Sequence, residues 1–235
     1  MRRFVTLAFV PLAIALPAGF AGAALWDLSG LGQPTTREYL LAHPEVLPEA
    51  MDVLEQREQA RRIEPMRAEL EQPFPGAVLG NPRGSVTLVE FSDYACVYCR
   101  QSLADVTALI AANPDLRVVI REYPVLHPDS VTAARMALAA AQQGRYQAFH
   151  DAMFRLGTPS AETVEAAARA AGVDLARAEA AIARGEFDAQ LQANIAMAEV
   201  LGITGTPGWV VGDRVLNGAQ GQERIGQAID EARAS

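Results

Sequence analysis

The sequence predicts an α/β fold: a strand–helix–strand unit, a long helical block, then a hairpin and a closing helix, all preceded by a helical extension. Three observations carry this prediction. "VTLVEF" (86–91) and "LRVVIREY" (116–123) are runs of β-formers on either side of one helical stretch. From about residue 124 to 202 the signals are helical, with no period of two. "GWVVGDRVLNG" (208–218) holds two short apolar runs about a Gly212-Asp213 turn.

The chain has 235 residues, 50% of them hydrophobic, and a formal charge of −8. That length supports one domain, or one domain with an extension. A diffuse acidic balance argues against nucleic acid as a partner, because phosphate binding needs a basic footprint. All 20 positive residues are arginine, which excludes lysine chemistry. There is no internal repeat and no glycine-rich phosphate loop.

The first element is "MRRFVTLAFVPLAIALPAGFAGAALWDLSG". Arg2 and Arg3 precede an apolar run, Phe4 to Leu16, shorter than the roughly 20 residues that span a bilayer. Ala21-Gly22-Ala23 fits a small-residue cleavage site, so residues 1–23 are expected to be a secretory signal peptide. An uncleaved anchor is the alternative, disfavoured by Pro11 and Pro17. Export through this signal predicts a periplasmic protein.

Residues 24–72 are expected to form a helical N-terminal arm. Thr35 and Glu38 fit a capping box. Pro44 and Pro48 are each tolerable in a helix's first turn. Leu40, Leu47 and Leu54 recur every seven residues, and the face from Gln56 to Arg62 is polar. One apolar stripe must be buried, either on its own domain or on a partner subunit.

"EQPFPGAVLGNPRGS" (71–85) is rich in Pro and Gly and is expected to be a linker or entry segment. The first strand follows. The helix after it begins at the cysteines and ends near Asn113-Pro114, and the second strand then makes a parallel pair with the first. In the block 124–202, Asp129-Ser130 opens one helix and Gly144 closes it. Tyr146, Phe149, Met153 and Phe154 share one face of the next. Segments 160–171, 174–184 and 187–201 follow. "GQERIGQAIDEARAS" closes the chain as a helix.

Both cysteines lie in "SDYACVYCR", as Cys96 and Cys99. A disulfide across so short a loop restrains the unfolded chain little, so a purely structural bridge explains them poorly. A structural zinc site wants four ligands. The chain offers two cysteines and three scattered histidines, His43, His127 and His150. Copper(I) held by two thiolates stays open. A redox dithiol fits the context best. Cys96 would stand where a strand ends and a helix begins, where free N–H groups and the helix dipole favour a thiolate. Cys99, one turn on, can attack a mixed disulfide formed at Cys96. Cys96 is therefore the expected nucleophile and Cys99 the resolving thiol. No metal and no cofactor is called for.

"VEFSDYACVYC", with "GITGTPGWVV" far downstream, resembles the DsbA-like group of thioredoxin-fold proteins over about residues 76–233. The resemblance implies a thioredoxin fold at 73–123 and 203–235, with 124–202 as an inserted helical subdomain between its βαβ and ββα halves. It aligns Cys96 and Cys99 with the redox pair, Thr206 and Pro207 with a residue and cis-proline facing it, and Glu90 with a buried acid beneath it. From the residues alone, Pro207 could equally be a trans turn proline, and Glu90 a surface acid at a strand end. The arm, with "YLLAHPEVLPEAMDVL", resembles the oligomerising N-terminal region of the ScsC-like branch.

The resemblance implies thiol–disulfide exchange with exported client proteins, a membrane redox partner and a homo-oligomer held by the arm. Two positions shade that expectation. The strongest oxidants of the group carry histidine before the second cysteine, whereas Tyr98 stands here. Threonine before the proline resembles the disulfide isomerases, so shuffling is slightly favoured over de novo oxidation. A copper(I)-binding or chaperone module using the same thiolates is the alternative from another class. His127 and His150 are expected to be packing or surface residues.

Overall fold

The computed structural model describes residues 35–234. The expected signal peptide lies outside them. The chain divides into two compact units, Met1–Leu54 and Glu55–Ser235. Residues 55–72, expected as arm, thus fall within the second unit.

In the first unit, α1 (Thr36–Ala42) opens on the expected capping box. The Glu38 N–H donates to Thr35 Oγ1, and the Glu38 carboxylate accepts from the Thr35 N–H. Helix α2 (Val46–Ile63) carries Pro48 in its first turn, where no intrahelical N–H is lost. Leu41, Leu47, Met51 and Leu54 are 52–70% exposed.

The second unit is built on a five-stranded sheet in the order β1-β3-β2-β4-β5. Its strands are β1 (Val78–Gly80), β2 (Val86–Ser92), β3 (Leu116–Glu122), β4 (Gly208–Val211) and β5 (Arg214–Asn217). β2 and β3 are parallel, joined through α4 (Val97–Ala112), as the two β-rich runs predict. β4 and β5 form the predicted hairpin, antiparallel to each other and to β2. Strand β1 corrects the expectation of a linker at 71–85. Three of its residues pair antiparallel with β3 and close that edge.

Every residue of β2 is buried, because a central strand is covered on both faces. Side chains alternate, so two layers form. Leu88, Val118, Ile120 and Trp209 face one layer with Leu109 of α4 and Ile225 and Ile229 of α10 (Gly221–Ala234). Val89, Phe91, Val119, Tyr123 and Val210 face the other, with Ile63 of α2 and Leu70 of α3 (Arg67–Glu71). Met197, Ala198 and Leu201 of α9 (Asp188–Leu201) complete that layer.

Between β3 and β4 the chain is helical, as expected. α5 (Ser130–Gln142), α6 (Tyr146–Leu156), α7 (Ala161–Ala170) and α8 (Leu175–Ala183) precede α9. Tyr146, Phe149, Met153 and Phe154 form the buried face of α6. Gly202 ends α9 in the left-handed region (φ 74°), which admits glycine without steric penalty.

Arg121 of β3 is buried on the second layer. Its guanidinium donates to the backbone carbonyls of Glu69, Leu70 (2.9 Å) and Gln72 (2.7 Å) at the C-terminal end of α3. It also donates to Asn194 Oδ1 of α9 (3.3 Å). A strand side chain thereby caps the carbonyls at a helix end.

Candidate active site

β2 ends at Ser92, and the chain turns through Asp93, Tyr94 and Ala95 into α4. Asp93 holds the turn. Its buried carboxylate accepts from the Ala95 N–H (2.8 Å), the Val125 and Leu126 N–H groups (both 2.8 Å) and Ser130 Oγ (2.6 Å). One side chain thus fixes the loop before Cys96 to the loop after β3.

Cys96 is the N-cap of α4, with extended backbone (φ −81°, ψ 119°). At that position the orphan N–H groups of the first turn point toward its side chain. Cys96 and Cys99 are free thiols, 4% and 1% exposed. The Cys96 thiol pKa falls to about 5, chiefly because the Cys99 thiol donates to the ionised sulfur. Burial opposes this, while the Thr206 hydroxyl and the Cys99 and Tyr98 N–H groups reinforce it. Cys99 moves the other way. Burial pushes its thiol up, and donation to Cys96 and the nearby Glu90 charge add to the rise. The pair therefore holds one thiolate and one thiol at neutral pH.

Across from Cys96, the loop after α9 brings Thr206 and Pro207 to the sulfur. The Thr206–Pro207 peptide bond is cis. Cys96 Sγ lies 3.2 Å from the Thr206 carbonyl oxygen, to which it donates only while protonated. Thr206 Oγ1 is buried beside the Cys96 sulfur, whose ionised form its hydroxyl favours. Gly208 is required next, since a Cβ there would lie 2.4 Å from Ile203 Cγ2. Val97, Tyr98, Val125 and Leu126 are 45–55% exposed and carry apolar surface on the first turn of α4 and on the loop Asp93 anchors.

Glu90 lies on β2 beneath the pair, 3% exposed, on the same sheet face as Trp209 and Ile120. Burial raises its carboxyl to about 8, and the Cys96 charge adds to the rise against the opposing Ser92 hydroxyl. The structure therefore gathers Cys96, Cys99, Glu90, Thr206 and Pro207 in one place. His127 is not among them: it is exposed and accepts from the Asp129 N–H.

Sequence reasoning missed a polar cluster behind the turn. Tyr94 and Tyr146 both donate to Glu122 Oε1, at 3.1 and 2.7 Å, and Tyr94 Oη lies 3.1 Å from His150 Nδ1. All four are buried. Burial raises Glu122 to about 8 and lowers His150 to about 4. The signal for Glu122 was weak: an acid ending a strand usually faces water. Asp93 and Ser92 stood in the quoted "SDYAC", but neither motif nor spacing distinguished them.

Comparisons with known proteins agree with this geometry. A family described as "Thioredoxin" matches residues 74–231. The "Copper resistance protein ScsC N-terminal domain" matches residues 36–61. A thioredoxin-like oxidoreductase from Silicibacter pomeroyi DSS-3 is 43% identical, covering 67% of this chain and 92% of that one, with a TM-score of 0.64. Proteus mirabilis ScsC in a transitional conformation covers 88% and 94% at 24% identity and a TM-score of 0.65, a likeness of fold. The chain is also 30% identical over 162 residues to the Na(+)/H(+) antiporter NhaA 3 of Salinispora tropica. That match takes in 67% of this chain and only 25% of the antiporter. Among the described residues no helix is long and apolar enough to cross a membrane.

Proposed function

The chain belongs to the thioredoxin family, and from that premise we propose that it is an exported thiol–disulfide oxidoreductase acting on other exported proteins. One observation carries the proposal. A nearly buried N-cap thiol, ionised near pH 5, contacts the Thr206 carbonyl, with a high-pKa thiol one turn behind it.

The chemistry follows in two steps. The Cys96 thiolate attacks a sulfur of a client disulfide, forming a mixed disulfide and releasing the other client sulfur as a thiolate. Cys99 then loses its proton and attacks Cys96 Sγ, which forms the Cys96–Cys99 disulfide and expels the client thiolate. The client gains two electrons and the pair loses them. Run backward, the same steps oxidise a client dithiol. In the first step the backbone at Thr206 lies beside the sulfur, where an extended client segment can hydrogen-bond. Glu90 takes and returns the Cys99 proton.

Shuffling is favoured over de novo oxidation. Tyr98 supplies no imidazolium to stabilise the thiolate, and Thr206 precedes the proline. The apolar residues exposed in the first unit support a homo-oligomer formed through the arm, which would set several redox sites around one client. A membrane electron carrier is the partner that would reset the pair.

The test is to give the reduced protein scrambled ribonuclease, and the oxidised protein reduced ribonuclease. Recovery of activity in the first assay and slow oxidation in the second is the expected result. Failure of both, with the protein folded, would overturn the proposal.

A further inference from the structure

We propose that the Ser92 hydroxyl carries the proton between the Cys99 thiol and the Glu90 carboxyl while the mixed disulfide is resolved. The proposal rests on the exchange reaction above and names a residue that reaction has not used.

The placement comes from the strand. Glu90 and Ser92 are two residues apart on β2, so both side chains emerge on the face covered by α4. In the parallel register Ile120 stands beside Glu90, and Glu122 beside Ser92. Ser92 is 3% exposed, and its Oγ has no hydrogen-bond partner of normal geometry. Leaving a buried hydroxyl unpartnered is costly, so such a group calls for an explanation.

Ser92 acts on two groups. It favours the ionised form of Glu90, and it favours the ionised form of Cys99. A hydroxyl has one proton to donate and two lone pairs, so it can serve either neighbour by rotation. It donates to whichever is charged and accepts from whichever is not. That is the property a relay between an acid and a thiol requires.

The step balances as follows. Cys99 S–H gives its proton to Ser92 Oγ, whose own proton passes to the Glu90 carboxylate. The Cys99 thiolate attacks Cys96 Sγ. The Cys96–client bond breaks, the Cys96–Cys99 bond forms, and the client leaves as a thiolate. Glu90 ends protonated, and Ser92 is unchanged.

Timing is set by charge. The groups facing Glu90 are Cys96 and Cys99 from α4, Glu122 from β3 and Tyr94 from the turn. Burial is the main reason Glu90 stays protonated, and the charge of the Cys96 thiolate adds to it. Capture of a client neutralises Cys96 and removes that added repulsion, so Glu90 ionises more readily when resolution needs a base.

The experiment mixes reduced full-chain protein with glutathione disulfide, quenches in acid and weighs the products. Capture appears as the glutathione adduct on Cys96, and resolution as its loss to the Cys96–Cys99 disulfide. In Ser92→Ala, capture keeps its wild-type rate, while resolution slows by about tenfold or more at pH 7. Ser92→Thr, which restores the hydroxyl, returns most of the rate. Glu90→Gln slows resolution as well, and adding Ser92→Ala to it slows it no further. The wild-type resolution rate rises through the Glu90 pKa and levels off, whereas that of Ser92→Ala climbs with hydroxide and shows no plateau. Wild-type resolution in Ser92→Ala would overturn the proposal, as would Ser92→Thr remaining as slow as Ser92→Ala. A wild-type protein that forms the adduct but never resolves it would instead overturn the exchange reaction itself.

Discussion

Cys96 Sγ lies 3.2 Å from the backbone carbonyl oxygen of Thr206, although 110 positions separate them in the chain. The sulfur that begins a helix therefore meets the backbone of a loop that precedes the antiparallel hairpin. Under the proposed function, that contact would bring a client's backbone to the reactive sulfur.

The two cysteines should divide the reaction. Cys99→Ser retains the attacking sulfur and loses the resolving one, so disulfide-linked client adducts accumulate on non-reducing gels. Cys96→Ser forms none. Alkylation of Cys96 in wild type should follow an ionisation near pH 5, far below an ordinary thiol near 8.5. A midpoint above 8 would contradict the site described here.

Stability should depend on pH differently in the two redox states. The folded Cys96 pKa lies below its unfolded value, so its contribution is full above the unfolded pKa and is lost as pH falls through about 5. Only the reduced protein has it. The melting temperature of the reduced form should therefore gain on the oxidised form as pH rises from about 5 to about 8.5. Glu90 and Glu122 run the opposite way. Their folded pKa values are raised to about 8, so stability is full below about 4.5 and declines as pH rises through 8. Glu122→Gln should flatten that decline in thermal melts across pH 4–9.

Asp93→Ala should be severe. It removes the acceptor for three N–H groups and one hydroxyl, and with it the tie between the turn before Cys96 and the loop after β3. A loss of about 3 kcal/mol in denaturant unfolding is expected. Cys96 alkylation should slow with it, because the turn that aims the sulfur loosens.

Tyr98→His should make the protein more oxidising. An imidazolium beside the sulfur lowers the Cys96 pKa and stabilises the reduced form. Each pKa unit corresponds to about 30 mV in a two-electron couple. Equilibration with glutathione buffers measures the shift, and an unchanged potential would remove the basis for ranking this chain below the strong oxidants.

Removal of residues 35–54 should leave a folded, redox-active monomer. Leu41, Leu47, Met51 and Leu54 are exposed in the first unit, and a partner copy is the expected cover. Light scattering of the two forms decides this. Equal masses would count against an oligomerising arm.

Much of the fold was legible because its signals were local. Strands 86–92 and 116–122 are dense in β-formers, and Asn113-Pro114 and Gly202 punctuate helices where the sequence places them. Strand β1 was hidden because three residues between Gly76 and Pro82 carry no period to detect, and its pairing with β3 is set by a distant partner. The cysteines, Glu90 and the Thr206-Pro207 pair stood out through motif and resemblance. Ser92, Asp93 and Glu122 did not, because their roles depend on which groups the turn and β3 bring against them. His150 was expected to pack or lie at the surface, and it packs, against Tyr94, Tyr146 and Phe154 with its Nδ1 on the Tyr94 hydroxyl.

The grip of Arg121 on Glu69, Leu70 and Gln72 is exerted entirely through main-chain oxygens. Such a mooring is blind to side-chain identity. The exposed positions 69 and 72 can drift under selection without untying the helix end, whereas Leu70 is held by its place in the core and position 121 by the hydrogen bonds only its guanidinium supplies. Variation should therefore be permitted on one side of this joint and forbidden on the other.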